Sequence, residues 1–97
     1  PGGKGFNQAV AAARSGARTR FTCALGGDAG GQFARALATA EGIDLRDMAG
    51  TQPTGSAGIF VDAAGRNSIV VAPGANAELD AAHVERSFDA DAAAVLV

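Results

Sequence analysis

A cation and a carboxamide stand three residues apart just after a run of glycines: Lys4 and Asn7 in "PGGKGFNQAV". Consecutive glycines let a ligand approach the backbone with no Cβ in the way. Lysine donates up to three hydrogen bonds, and asparagine both donates and accepts. A helix starting at this point would add unpaired N–H groups from its first turn. Together these groups suit a neutral, polyhydroxylated ligand. The same residues also read as a tight turn followed by a solvated lysine, and their spacing leaves both readings open.

Other chemistries fit less well. A phosphate-binding loop needs G-x-x-x-x-G-K followed by Ser or Thr, whereas Gly5 follows Lys4. "LGGDAGGQF" lacks the G-x-G-x-x-G dinucleotide fingerprint. His83 is the only histidine and has no partner for a metal site, so it reads as a surface residue. Cys23 falls on the apolar side of an alternating run and reads as a buried, inert thiol. Asp28 precedes a helical pattern and reads as its cap. No paired carboxylates and no Ser-His-Asp set can be assembled.

The composition narrows the partners. The chain has 97 residues, 47% of them hydrophobic and 19% charged, with a net charge of −2. That balance offers no electrostatic reason for binding nucleic acid or an anionic membrane. Five Phe without Trp or Tyr make base-stacking platforms an unpromising reading. No stretch reaches the ~20 apolar residues that span a bilayer. The single Cys rules out an internal disulfide framework and fits a reducing, cytoplasmic setting. Pro1 in place of an initiator Met, and an end inside the apolar run of "DADAAAVLV", predict a piece of a larger protein.

The elements that must position Lys4 and Asn7 follow from the patterning. Residues 1–5 form a glycine-rich turn, and 7–15 read as a helix closed by Gly16. "TRFTCAL" at 19–25 alternates as a strand. A second helix at 29–41 has Phe33, Ala34, Leu37 and Ala38 on one face, and Gly42 closes it. "IDL" at 43–45 is a short extended piece, and 46–53 read as a polar loop. "TGSAGIFVD" and "NSIVVAP" form a hairpin across "AAGR". Residues 74–79 are a loop, 80–88 a short helix capped by Asp80, and the terminal "AAAVLV" a buried strand. Helices alternating with strands predict an α/β sheet, and the hairpin reads as a flap attached to it.

Several separated stretches now stand in one order: "GGKGFNQAVAAARSGA", "ALGGDAGGQF", "AEGID" and "PTGSAGIFVDAAGRNSIVVAPGANAEL". Together they resemble the ribokinase family, the phosphofructokinase-B-type carbohydrate kinases, and the last stretch is most similar to its ribokinase branch. The resemblance covers nearly the whole chain. It implies a partial ribokinase-like, doubly wound α/β sheet with a small β-hairpin lid. Residues 1–97 would be part of one domain, with 1–52 and 74–97 as core and 53–73 as lid.

The resemblance also implies an activity: ATP-dependent phosphorylation of a sugar's hydroxymethyl group, in this branch ribose to ribose 5-phosphate. Fructokinase, another sugar or nucleoside kinase, or a non-catalytic sugar-binding protein are the alternatives. Gly3, Lys4 and Asn7 match the family's sugar-binding residues, and Ala57 and Ile59 match lid residues that cover the sugar. ATP and Mg2+ are implied as cofactors, with a monovalent cation such as K+, all bound mostly outside these 97 residues. The family's catalytic base, an Asp in a Gly-Ala-Gly-Asp motif, has no counterpart in this sequence, nor does its Asn-x-Asp sugar-binding strand. Phe6 stands where ribokinases commonly have a small residue. The implied partners are a small-molecule sugar, ATP and a second subunit paired through the lid.

Overall fold

The computed structural model describes residues 2–97; Pro1, the first residue of the expected turn, lies outside them. Helix α1 spans Lys4–Arg14, three residues earlier than the Ala-rich run suggested. Gly3 explains the early start. It is the N-cap, with φ 93 and ψ 143, a backbone turn that glycine makes without steric cost. The Asn7 amide then donates to the Gly3 carbonyl at 3.0 Å, closing the first helical turn. Gly16, with φ 89, follows the end of α1, as expected.

Strand β1 (Arg20–Leu25) leads through a glycine loop into α2 (Ala29–Ala40), whose N-cap Asp28 accepts from the Gly31 amide. Gly42, with φ 68, ends α2 as expected. The chain then enters β2 (Asp44–Ala49), which runs parallel to β1 with Arg20 opposite Asp44 and Leu25 opposite Ala49. Residues 46–49 thus belong to a strand and not to the expected polar loop. The reason is Asp47. It is half-buried, and its Oδ2 accepts from Arg35 Nε of α2 at 2.8 Å. A carboxylate satisfied in this way sits under a helix, yet in sequence it breaks the apolar pattern.

The core lies between the helices and this sheet. Phe6, Ala9, Ala38 and Ile43 are its buried centre, flanked by Val10, Phe21, Leu37 and Leu45. The Phe6 and Phe21 rings meet edge to face at 5.8 Å and 69°, a favoured aromatic geometry. Phe33 departs from the expected buried face of α2 and is 59% exposed.

Strands β3 (Ser56–Val61) and β4 (Asn67–Ala72) form the expected antiparallel hairpin. Asp62 organises its turn, accepting from the Ala64 and Arg66 amides and from Arg66 Nε. The expected loop at 74–79 is instead a 3-10 turn, Gly74–Glu78, which buries Ala75. Helix α3 (Ala81–Ser87) carries the expected Asp80 cap. The apolar end at 92–97 is not a strand: Val95 and Leu96 are exposed. A strand needs a neighbouring backbone to pair with. Among the described residues, the core sheet contains only β1 and β2.

Candidate functional site

The start of α1 faces a cavity of about 330 Å3. One wall is Gly2, Gly3, Gly5 and Phe6; the floor is Phe21, Cys23 and Leu25 of β1. Its far rim carries Gly30 and Phe33 of α2, and Thr54, Gly55 and Asn76 at the foot of the hairpin. The cavity therefore joins the glycine turn to the hairpin root through the end of a parallel strand. Glycine backbone and Phe6 lie on one side, and Thr54 and Asn76 bring polar side chains to the other beside Phe33.

The predicted site residues are distributed unevenly around this cavity. Gly3 lines it directly. Lys4 and Asn7 occupy the exposed first turn of α1 and are not part of its wall. Their i, i+3 spacing places them on one helix face. Ala57 and Ile59 are on the hairpin blade, away from the cavity wall. The alternation expected for the blade is present. Ala57 is opposite Val71, Ile59 opposite Ile69 and Val61 opposite Asn67, so these six share a face. Gly58, Phe60, Val70 and Ser68 are on the other. The sequence reading missed Val71 and Ile69 because cross-strand partners follow from the hairpin register, which single-strand alternation does not supply.

Phe6 takes both roles that its size allows: it is buried in the core and it also narrows the cavity wall. Cys23, expected as a buried, inert thiol, is half-buried and lines the cavity floor. Burial first, and the Asp47 carboxylate second, push its pKa from 9.0 up to about 11.

Asp28 proves to be more than a cap. Its Oδ1 accepts from the Gly31 amide at 2.9 Å and from the Thr54 hydroxyl at 2.6 Å. Its Oδ2 accepts from the Thr54 amide at 2.9 Å. The Thr54 hydroxyl bond, then the two amides, hold the Asp28 carboxyl below the ordinary carboxylate range. Thr54 Oγ1 in turn accepts from the Gly26 amide at 3.0 Å. This close approach requires glycine, since a Cβ on Gly26 would lie 2.6 Å from the Thr54 nitrogen. Nothing in the local sequence around Thr54 marks this contact.

Among the described residues, no group of three or more His, Cys, Asp and Glu side chains is placed to hold a metal ion. No helix among them is long and apolar enough to cross a membrane.

The comparisons agree with the motif order. The pfkB family carbohydrate kinase profile matches residues 1–97. Ribokinase of Haemophilus influenzae is 43% identical over 88 residues, which is 89% of this chain and 29% of that protein. A solved structure of ribokinase from Giardia lamblia superposes with a TM-score of 0.74 at 38% identity, covering 87% of this chain and 27% of its own. Arabidopsis thaliana ribokinase, solved in complex with ribose and ATP, gives 0.64 at 37% identity, with 77% of this chain and 25% of its own covered. The chain spans between 14% and 31% of the length of the curated relatives it matches. Its βαβ unit with an attached hairpin is thus part of a ribokinase-like fold, and the chain belongs to the pfkB family of carbohydrate kinases.

Proposed function

We propose that the full-length protein is an ATP-dependent sugar kinase that phosphorylates the hydroxymethyl group of ribose, and that this chain supplies part of the sugar site and its lid. The ordered motifs, in a chain 38–43% identical to ribokinases over most of its length, carry this reading. Gly3 would let the sugar lie against backbone, and Lys4 and Asn7 would reach its hydroxyls from one face of α1. Ala57 and Ile59 would cover it from the blade, with Val71 and Ile69 beside them. A closed lid excludes water that would otherwise compete as phosphoryl acceptor. Orientation of donor and acceptor is most of what this transfer asks of a protein.

ATP is the phosphoryl donor that this reading requires, with Mg2+ and a monovalent cation such as K+ to offset phosphate charge. No part of the proposed role of this chain depends on either ion. A homodimer paired through the lids fits the exposure of both blade faces: Ile59 is 62% exposed and Phe60, on the opposite face, 65%. A two-stranded hairpin left bare on both sides is marginal in water, so a sugar on one face and a second lid on the other would complete its burial. The setting proposed is cytoplasmic.

A phosphorylation assay of the full-length protein with ATP and a panel of sugars and nucleosides tests the proposal. The expected order places ribose ahead of fructose, and absence of product with every acceptor would overturn it. Lys4→Ala and Asn7→Ala should each weaken ribose binding about tenfold by calorimetry, the scale of one lost polar contact, with little change for ATP. Unaltered ribose affinity in both variants would remove these residues from the site. A fructose preference would favour the fructokinase alternative. Sugar binding without phosphoryl transfer would favour the non-catalytic one.

A further inference from the structure

The two legs of the hairpin meet at its foot, and the junction is fastened more heavily than a turn requires. On the first leg, Asp28 takes both the amide and the hydroxyl of Thr54, while Thr54 Oγ1 accepts from the Gly26 amide. On the second leg, the Ala75 amide donates to the Pro53 carbonyl at 2.8 Å. Gly74, with φ 50, leaves no room for a Cβ against that same carbonyl. Next to this junction, Glu78 accepts from the amide of Thr51 at 2.7 Å and from its hydroxyl at 2.6 Å. Beyond the junction, every residue of β3 and β4 is exposed. The blade is therefore held at its foot by these bonds.

Capping alone does not account for Asp28. An N-cap needs one oxygen for one amide, and serine would serve as well. Asp28 instead binds three donors, two of them from a residue 26 positions away. Thr54 is also part of the cavity rim, as is Gly30 beside the cap. The carboxylate thus joins the cavity to the pivot of the blade.

We propose that Asp28 and Thr54 are positioning residues that set the angle at which the hairpin closes over the sugar site. Neither needs to touch the sugar. Their bonds fix the residue from which the blade departs, next to Gly55 on one leg and opposite Gly74 on the other. The catalytic consequence rests on the kinase reading above; the mechanical one does not.

The test uses the full-length protein, with ribose and ATP as substrates. Asp28→Ser keeps a capping oxygen for Gly31 but cannot hold both groups of Thr54. Thr54→Val removes the hydroxyl, and Thr54→Ser restores it. The first two variants should raise the KM for ribose at least fivefold, with kcat and the KM for ATP within twofold of wild type; Thr54→Ser should behave as wild type. Hydrogen exchange should show the Thr54 and Ala75 amides exchanging at least tenfold faster in Asp28→Ser, with β1 unchanged. A purely structural role would lower stability and leave the ribose KM unmoved, and that result would overturn the proposal. Unchanged exchange at Thr54 and Ala75 would overturn the clamp itself, whatever the kinetics. A wild-type protein inactive on every sugar would overturn the kinase reading and the catalytic consequence together, while the exchange result would still decide the clamp.

Discussion

Gly30 and Gly31 are neighbours in the first turn of α2, and replacing either with alanine should have opposite effects. In sequence the two are equivalent. Alanine is favoured over glycine in a helix by roughly 0.5–1 kcal/mol, less in a first turn. At Gly30 the new Cβ would sit 3.4 Å from Thr54 Cβ and 3.5 Å from Asp28 Oδ1, ordinary contacts that cost nothing. Gly30→Ala should therefore stabilise by about 0.5 kcal/mol. At Gly31 the Cβ would collide with the Gly26 carbonyl oxygen and stand 2.9 Å from Arg35 Nη1 and 3.0 Å from Thr54 Oγ1. The Gly26 oxygen cannot retreat freely, because it accepts from Arg35 Nη1 at 3.0 Å. Forcing an extra methyl into such a contact costs about 1–3 kcal/mol. Loosening the Arg35 bond, whose side chain is one-third exposed, adds about 1 kcal/mol. The expected net loss for Gly31→Ala is about 2–3 kcal/mol after the helix gain. Urea unfolding of the full-length protein followed by circular dichroism would read both changes as shifts in midpoint at constant m. A Gly31→Ala variant as stable as Gly30→Ala would refute the close packing of α2 against the β1 loop.

Phe6→Ala should destabilise by about 3 kcal/mol, since it empties the centre of the core and removes the edge-to-face partner of Phe21; a loss under ~1 kcal/mol on denaturant unfolding would place Phe6 outside the core. Cys23, with its pKa pushed up to about 11 from 9.0, should react with a disulfide reagent at pH 8 about a hundredfold more slowly in the native protein than after unfolding. Equal rates would mean an accessible, unperturbed thiol. The carboxyls of Asp28, Asp44, Asp62, Glu41 and Glu78 are all held below their ordinary values of 3.8 for Asp and 4.5 for Glu, each chiefly by a side-chain hydrogen bond. Their contribution to stability is therefore complete above about pH 4.5 and is lost as the pH falls through the lowered folded-state values, because the unfolded chain binds protons first. Thermal midpoints that stay flat, or rise, below pH 4.5 would contradict this sign.

Local chemistry made much of the frame readable. Asp28 and Asp80 announce their helices because a short carboxylate satisfies first-turn amides. Gly16, Gly42 and Gly65 mark positive φ values. The apolar alternation of 56–61 and 67–72 flanks a loop short enough for a hairpin. Strand β2 was hidden because Asp47, an inward-facing carboxylate, has its partner Arg35 on another element. The end of the chain misled for the opposite reason: "AAAVLV" has the apolar pattern of a buried strand, yet pairing depends on a backbone that a pattern cannot supply. Of the residues lining the cavity, Gly3 is one the sequence reading names, whereas Thr54, Asn76 and the second role of Asp28 are not.

The 97 residues in linear order carried the family, the helix caps, the turn glycines and the alternation of the hairpin. All of these arise within a few residues of each other or from ordered motifs. The contacts that bring the glycine turn, the β1 floor and the hairpin root to one cavity belong to the fold. So does the bond between Asp28 and Thr54, 26 residues apart. Such pairings depend on how the chain closes its loops and which backbones come within van der Waals reach, and linear spacing does not encode either quantity.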